Sequence, residues 1–453
     1  MSSPLGSPRP LWRTYLAFLG PMVLANILQS LSGTINGIYI GQMLGTRELA
    51  AVAGMFPIVF FFIALVIGLG GGASVLIGQA WGAREPDRVR SIAGTALVLG
   101  ALIGLVAAVA GSLFARPALQ ALGTPPEVVD DAVGYMRIMM LTMPLLLVFI
   151  LFTQLLRGVG DTVTPLLALL VSTAVGLSLT PALIRGWFGL PQLGVRAAAV
   201  AGLVSFTVAI GFLVIWLGRR DHPLSIDRRL LAVCRIRRAL LVPVLRIGVP
   251  TSVQMVVIAL AELAILGFVN HYGTHAAAAY GAVNQIVNYV QFPALSIAIT
   301  ASILGAQSIG AGRADRLGAI VRTGLMMTVI ITGLLVLSGY LMSDWLLGWF
   351  ITDEQAHQTA ERLLRLMLWG NVVFGLQAVL AGVMRASGTV LIPTTIAVAS
   401  ILLIQLPAAH LLERLYGLDG IWMAYPVVFC AMLLLQGSYY LAVWRHKRIE
   451  RLT

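Results

Sequence analysis

Long apolar runs, separated by short polar segments, make up most of the chain. Most runs exceed about 20 residues, the length that an α-helix needs to cross the hydrocarbon core of a membrane. Their apolar positions are continuous rather than alternating, which excludes the short alternating strands of a transmembrane β-barrel. The pattern predicts twelve transmembrane helices, at about 14–41, 49–80, 91–115, 132–156, 163–185, 193–218, 244–270, 277–308, 320–343, 363–384, 390–412 and 420–444.

Prolines inside these runs predict local bends. A proline in a helix interior removes one backbone hydrogen bond and kinks the helix. The prolines concerned are Pro21, Pro57, Pro144, Pro181, Pro250, Pro293, Pro407 and Pro426.

The composition indicates that lipid covers much of the surface. Of the 453 residues, 59% are hydrophobic and 11% are charged, and the mean hydropathy is +0.93. A soluble fold of this length needs many more charged residues. The chain is therefore predicted to be an all-α polytopic membrane protein, whose helices satisfy their own backbone groups.

The charge distribution predicts the orientation in the membrane. The chain carries 30 Arg and Lys against 18 Asp and Glu, a net charge of +12. In a soluble protein this would favour nucleic-acid binding, but the positive charges collect in short loops, as the positive-inside rule requires. No nucleic-acid partner is expected, and both termini are predicted to be cytoplasmic in a bacterial inner membrane. The positive side includes Arg9, Arg13, Arg84, Arg88, Arg90, Arg157, Arg313, Arg316, Arg322, Arg385 and residues 445–451, and the opposite loops hold Asp130, Asp131, Asp344, Asp353 and Glu354.

One polar stretch divides the chain into two lobes. Residues 1–218 and 244–453 are predicted to form two six-helix lobes, joined by a basic cytoplasmic linker at 219–243. Apolar residues alternate with arginines in this linker. It is expected either to lie on the membrane surface against anionic lipid or to form a solvated loop.

The two lobes are related by an internal repeat with an offset of 228 residues. Ala73–Leu76 matches Ala301–Leu304, and the offset also joins Gln79 to Gln307, Gly160 to Gly388 and Pro165 to Pro393. Each copy has an even number of spans, so both keep the same orientation. We therefore expect two six-helix bundles related by pseudo-two-fold symmetry, with substrate bound between them.

Several motifs resemble those of the multidrug and toxic-compound extrusion (MATE) transporters. Residues 156–165, beginning Leu-Arg-Gly-Val-Gly-Asp and ending in Pro165, resemble the LRGxGDxxxP signature of that family. Residues 78–83 are similar to its Gly-Gln-x-x-Gly-Ala motif. The resemblance covers about 14–444 and implies export of organic cations in exchange for protons or sodium. It implies no cofactor beyond the coupling ion.

The sequence departs from the family pattern in the first helix. Members often carry an aspartate there, in a pattern like Asp-Thr-x-x-x-Gly, whereas this chain has Asn36 followed by Gly41. Asparagine does not exchange protons, so the coupling group is expected in the second half.

Glu262 is the candidate coupling residue. It is a carboxylate deep in the seventh predicted span, where a charge costs about 2.5–3.5 kcal/mol on insertion scales. Burial penalises the charged form and favours uptake of a proton. The alternative is a structural carboxylate hydrogen-bonded to neighbouring helices.

Amides in the next helix are expected to accompany Glu262. Asn284 and Asn288 are four residues apart on one helical face, so the predicted ion-coupling set is Glu262, Asn284 and Asn288. The alternative for each amide is an interhelical hydrogen bond. The predicted substrate cleft contains Asn36, Thr34, Tyr39, Gln285 and Gln377.

The main alternative is a flippase for lipid-linked precursors, which has a related fold. Such a protein is expected to have a strongly cationic cavity, whereas this chain places its arginines in loops. A membrane enzyme is disfavoured because His271, His275 and His410 lie near helix ends without metal-ligand spacing. The sequence therefore favours a monomeric transporter, not an enzyme, whose partners are small organic cations and membrane lipid.

Overall fold

Twelve long apolar helices account for most of the described chain. The computed structural model describes residues 10–45, 56–121, 129–351 and 353–452. Within these ranges, twelve helices are long and apolar enough to cross a membrane, which confirms the predicted all-α polytopic fold. They are α1 (Leu11–Met43), α2 (Phe56–Gly82), α3 (Pro86–Leu113), α4 (Val129–Gly158), α5 (Val163–Arg185), α6 (Arg196–Arg219), α7 (Arg238–Asn270), α8 (Thr274–Gly310), α9 (Leu317–Leu341), α10 (Glu354–Ala386), α11 (Leu391–Tyr416) and α12 (Leu418–Ala442). The first part of the predicted 49–80 run, up to residue 55, lies outside the described residues.

Two of these helices are interrupted. α10 consists of Glu354–Met367 and Gly370–Ala386. α11 contains a five-residue π-helical turn at Ile401–Gln405, shortly before Pro407. Proline cannot donate a backbone hydrogen bond to the preceding turn, and a wider turn accommodates that loss. Shorter helices lie at Ala115–Ala121, Arg228–Val233 and Ser343–Gly348.

The outward faces of the helices are apolar. Leu105 of α3, Leu334 of α9 and Leu434 of α12 are 55%, 59% and 70% exposed. In water such side chains would form a large apolar surface that promotes aggregation, whereas in a bilayer they contact lipid. The exposed leucines are thus what a membrane-embedded helical protein requires.

The described residues pack into two units that do not follow chain order. The N-terminal unit contains Leu24–Ala80 and Glu85–Ser252, and the C-terminal unit contains Val253–Thr453 together with Met1–Val23 and Trp81–Arg84. Hence α1 and α7 each contribute one part to each unit. The predicted lobe limits, 1–218 and 244–453 with the 219–243 linker, stay a prediction.

The C-terminal unit is organised around α8, the most deeply buried of the described spanning helices. α8 packs against α9 and against both parts of α10. The first part of α1 joins this unit through Tyr15, which is fully buried and donates a hydrogen bond to the carbonyl of Ile320 at 2.9 Å. This contact explains why the start of α1 packs with the second half of the sequence.

In the N-terminal unit, α2 and the first part of α7 approach each other through glycines. A Cβ atom on Gly72 would lie 2.8 Å from the carbonyl oxygen of Val244 and 2.9 Å from the nitrogen of Gly248. A Cβ atom on Gly248 would in turn lie 2.7 Å from the Cα of Leu69. Small residues at a helix crossing allow backbones to touch in the membrane, where close packing replaces the hydrophobic effect.

The loops of the two halves share an unusual backbone geometry. Positive φ angles recur at the predicted offset of 228, which shows that the repeat extends to the turns between helices. The pairs are Gly45 and Gly273, Arg84 and Gly312, Gly160 and Gly388, and Gly189 and Gly417.

The signature motif forms a capped turn between α4 and α5. The Asp161 carboxylate oxygen Oδ1 accepts hydrogen bonds from the backbone nitrogens of Val163 at 3.1 Å and Thr164 at 2.9 Å. These N–H groups have no partner within the first turn of α5. Asp161 therefore caps the start of α5.

His222, near the start of the linker, packs against this turn and contacts Asp161. Its side chain is 4% exposed, and its Nε2 lies 3.7 Å from Oδ2 of Asp161. Its Nδ1 accepts a hydrogen bond from the backbone nitrogen of Leu224 at 3.1 Å. Nδ1 must therefore be unprotonated. Burial lowers the pKa of His222, with the Asp161 charge opposing the shift and Arg220 adding to it.

Replacing Gly72 by alanine is expected to destabilise the protein by about 1–3 kcal/mol, because the new methyl group overlaps the α7 backbone. The matched control is Gly71→Ala, since a Cβ atom there meets nothing within 4 Å. That control is expected to be neutral or slightly stabilising, because alanine is the better helix former. Thermal unfolding of the purified protein measures both, and equal effects of the two variants would contradict the close crossing of α2 and α7.

Acidification is expected to loosen the attachment of the linker. The pKa of His222 is held below the ordinary histidine value of about 6.5, so neutral His222 contributes stability above that pH. The contribution is lost as the pH falls through the lowered pKa. His222→Gln should reduce the acid-induced drop in the unfolding midpoint, whereas His446→Gln, at an exposed site, should leave it unchanged. An unaltered pH profile in the His222 variant would show that this contact does not titrate.

Candidate ion-coupling site

Glu262 lies on α7 within the C-terminal unit, where two tyrosines hold its carboxylate. Its Oε2 accepts hydrogen bonds from the hydroxyl groups of Tyr425 at 2.7 Å and Tyr280 at 2.8 Å. The two hydroxyl oxygens are themselves 3.1 Å apart. Glu262, Tyr280 and Tyr425, here called the Glu262 cluster, thus place three oxygens within mutual hydrogen-bonding distance.

Packing fixes both tyrosines in place. Tyr280 of α8 and Tyr425 of α12 are each 5% exposed. The Tyr280 ring stacks on Trp422, with centroids 5.1 Å apart and planes 13° apart, and Trp422 is fully buried. Because Trp422 lies one turn before Tyr425 on α12, a single stack positions both phenols against the carboxylate.

The number of hydrogens in the cluster determines what it can hold. Each phenol carries one hydroxyl hydrogen, so an ionised Glu262 leaves three short oxygen–oxygen contacts with two hydrogens between them. A proton on Glu262 supplies the third hydrogen, and all three contacts are then hydrogen bonds. The three oxygens therefore accommodate one additional proton without moving, and one phenol hydroxyl turns to donate to the other phenol.

Of the other residues predicted for ion coupling, Asn284 joins the cluster. Its side chain hydrogen-bonds to the hydroxyl of Tyr280, four residues earlier on α8. Asn288 lies one turn further along and is exposed. The structure thus brings Glu262 and Asn284 together through a tyrosine, whereas a role for Asn288 stays a prediction.

The residues predicted to line the substrate cleft have varied environments. In the C-terminal unit, Gln377 of α10 is buried, and Gln285 is half-buried and donates a long hydrogen bond to the Tyr289 hydroxyl at 3.4 Å. In the N-terminal unit, the exposed Thr34 hydroxyl donates to the carbonyl of Ser30 at 3.1 Å. Their roles in binding substrate stay predictions.

Asn36 and Tyr39 occupy the second part of α1, which belongs to the N-terminal unit. The side-chain oxygen of Asn36 is buried and has no hydrogen-bond partner among the described residues. Tyr39 packs against a small apolar cluster that includes Leu183 and Ile184 of α5. A place for either residue in a substrate cleft stays a prediction.

The sequence pattern did not indicate Tyr280, Tyr425 or Trp422 as parts of the site. A signal for Tyr280 was present, because it lies on the same face of α8 as Asn284, one turn earlier. Tyr425 is 163 residues from Glu262 along the chain. No local pattern connects these two positions, so only the tertiary packing of α7 against α12 reveals the pair.

Duplicated helical bundles with a half-buried carboxylate in a spanning helix indicate the class of secondary membrane transporters. A family model described as MatE matches residues 21–182 and 250–411, one copy in each half of the chain. The chain therefore belongs to the MatE family of membrane transporters. The double match confirms the predicted repeat. Membership in a transporter family confirms that the protein is a transporter rather than a membrane enzyme.

Two curated relatives span almost the whole chain. The probable multidrug resistance protein YoeA of Bacillus subtilis is 41% identical, over 97% of this chain and 96% of its own length. The multidrug export protein MepA of Staphylococcus aureus is 22% identical, over 91% of this chain and 89% of its own. The protein is accordingly a multi-pass membrane protein of a family with bacterial members.

Solved structures share the fold. The Vibrio cholerae MATE transporter VcmN in its bent form superposes with a TM-score of 0.85 at 20% identity, covering 96% of this chain and 97% of its own. A MOP superfamily transporter from Pyrococcus furiosus, described as having a binding pocket of reverse polarity, gives a TM-score of 0.84 at 21% identity, covering 97% and 96%. These similarities confirm the two-lobe, twelve-helix architecture.

Replacing the two tyrosines should show that the Glu262 cluster acts as one unit. Tyr280→Phe and Tyr425→Phe each remove one hydrogen bond to the carboxylate, and either one also removes the contact between the phenols. The double variant is therefore expected to lose less stability than the sum of the single variants, with a coupling energy of about 0.5–3 kcal/mol. Thermal or denaturant unfolding of all four proteins measures it.

Tyr289→Phe provides the control for loss of a phenol on α8. Its hydroxyl accepts only the long bond from Gln285 among the contacts described above. Combining Tyr289→Phe with Tyr425→Phe is expected to give additive losses. Additive losses in the Tyr280 and Tyr425 pair as well would mean that the three oxygens are energetically independent.

Proposed function

We propose that the protein exports organic cations by antiport against protons, with Glu262 as the group that binds proton and cation in turn. The observation that carries this proposal is the Glu262 cluster, a carboxylate held by two phenols. No ion pair of the described residues includes Glu262. Its negative charge is thus left for a mobile cation to neutralise.

Electrostatics gives the reason for exchange. A carboxylate that is partly removed from water and has no positive partner is costly, and the protein lowers that cost by binding a proton or a cation. A proton and a cationic substrate compete for the same charge, so binding of one favours release of the other. Coupled alternation of the two occupants is what antiport requires.

The surroundings of the cluster suit a flat organic cation. The ring centroids of Tyr425 and Phe429 are 6.4 Å apart. Phe429 in turn contacts Phe374, with ring centroids 5.2 Å apart. Phe429 and Phe374 are each half-buried. Aromatic faces attract cations, most strongly where water is excluded, which supports planar aromatic cations as the substrate class.

Protons are favoured over sodium by the hydrogen count in the cluster. The three oxygens hydrogen-bond to one another and accommodate one further hydrogen, whereas a sodium ion would have to separate them. Efflux that follows a sodium gradient would identify sodium as the coupling ion instead. The names of the relatives, a multidrug resistance protein and a multidrug export protein, support several cargoes rather than one.

We further propose that the protein works as a monomer by alternating access, with both termini in the cytoplasm. The arginine-rich loops support that orientation through the positive-inside rule. The absence of a carboxylate at Asn36 supports placing the coupling group in the second half of the sequence.

Efflux of ethidium from cells that lack their own pumps tests the proposal. Wild type should lower intracellular dye in proportion to the proton gradient, and Glu262→Gln at equal expression should abolish gradient-dependent efflux. The control is Glu361→Gln, which removes an acid paired with Arg365 on α10 in the same unit. That variant should transport normally, and Asn36→Asp should leave the ion dependence unchanged.

Other results would change the conclusion in defined ways. Efflux that follows a sodium gradient instead of a proton gradient would keep the antiporter and replace its coupling ion. Efflux that survives Glu262→Gln would make the Glu262 cluster structural. No efflux of any cation by wild type would favour a lipid-linked precursor flippase.

A further inference from the structure

An apolar groove lies in the N-terminal unit beside the linker. Its volume is about 300 Å³, within the range of small-molecule sites. Helices α3, α4 and α6 provide most of the wall, with side chains such as Leu97, Phe149 and Leu213. The side chains that line it are hydrocarbon, apart from the thiol of Cys234. Such a groove suits a hydrocarbon chain.

The linker forms the remaining wall and is firmly attached. The short helix Arg228–Val233 is capped by Asp227, whose Oδ1 accepts a hydrogen bond from the backbone nitrogen of Leu230 at 2.8 Å. Leu230 is 1% exposed and lines the groove. Beyond this helix, the Thr95 hydroxyl of α3 donates to the carbonyl of Arg235 at 3.1 Å. These hydrogen bonds hold the linker against the helices, so the linker forms a defined wall of the groove.

The rim of the groove is strongly positive. Arg228 and Arg229 directly precede the lining residue Leu230, Arg235 directly follows the lining residue Cys234, and all three arginines are exposed. The acid in this stretch, Asp227, is already engaged as the helix cap. A hydrocarbon groove bordered by arginines thus matches a molecule with an apolar chain and an anionic head.

We propose that this groove binds one acyl chain of an anionic membrane phospholipid, whose headgroup phosphate contacts Arg228, Arg229 and Arg235. Guanidinium groups bind phosphate oxygens through paired hydrogen bonds. A zwitterionic phosphatidylcholine has the same chains but carries a positive choline group, which these arginines repel. The site is therefore selective for phosphatidylglycerol over phosphatidylcholine.

Chemical labelling of Cys234 tests this directly, because its thiol lines the groove. A Cys430→Ala background leaves Cys234 as the single thiol. The full-length protein is placed in phosphatidylcholine nanodiscs with increasing phosphatidylglycerol, and the rate of maleimide labelling is measured. Burial raises the pKa of the Cys234 thiol, so all rates are compared at one pH. Phosphatidylglycerol is expected to slow labelling, in a saturable manner.

Variants separate the headgroup contact from general charge. Each substitution among Arg228→Gln, Arg229→Gln and Arg235→Gln is expected to weaken protection by phosphatidylglycerol roughly fivefold. Combining the three linker substitutions should abolish protection. The matched control for this triple variant is Arg445→Gln with Lys447→Gln and Arg448→Gln, which also removes three positive charges, from exposed positions of the C-terminal tail, and should leave protection unchanged.

A second variant tests the groove itself. Ala101→Phe, at a lining position of α3, fills the groove while keeping every arginine, and should abolish protection by phosphatidylglycerol. Thermal unfolding of each variant verifies that it is folded. Equal protection by phosphatidylcholine, protection that survives loss of the three linker arginines, or equal loss in the tail control would each overturn the proposal.

Discussion

The free-energy cost of the Glu262 carboxylate, which is half-buried and forms no ion pair among the described residues, is the constraint on which the proposed chemistry of the C-terminal unit depends. Glu262 is stabilised by two phenols, and these are held by the stack of Tyr280 on Trp422. Hydrogen bonds lower the cost of the charge but do not neutralise it. A proton or a cationic cargo has to complete the site, and that requirement is the physical basis of the proposed exchange.

The repeat duplicates the scaffold but not this chemistry. Turns at Gly160 and Gly388 have the same left-handed backbone, 228 residues apart. At the same offset, Thr34 is the counterpart of Glu262, and Ala197 is the counterpart of Tyr425. The duplicated helices thus provide two similar frames, of which one carries the carboxylate cluster. This asymmetry agrees with the presence of asparagine rather than aspartate at position 36.

The fold could be predicted from the sequence because its signals are local and repeated. Apolar runs of spanning length identify the helices, and matching residues at an offset of 228 identify the repeat. The site could be predicted only in part, because a single glutamate within an apolar span is conspicuous whereas its partners are ordinary aromatic residues. Tyr425 approaches Glu262 only after α7, α8 and α12 have packed together. The entry of α1 into the C-terminal unit through Tyr15 was likewise invisible, since its acceptor is a backbone carbonyl.

The central claim is that a cation and a proton compete for Glu262, and proton release on binding tests it most directly. Ethidium is added to purified protein in weakly buffered detergent solution, and a pH-sensitive dye reports the protons released. The account predicts about one proton released per cation bound by wild type, and none by Glu262→Gln in a protein that remains folded. Equal proton release by both proteins, or cation binding by wild type without any release, would contradict it.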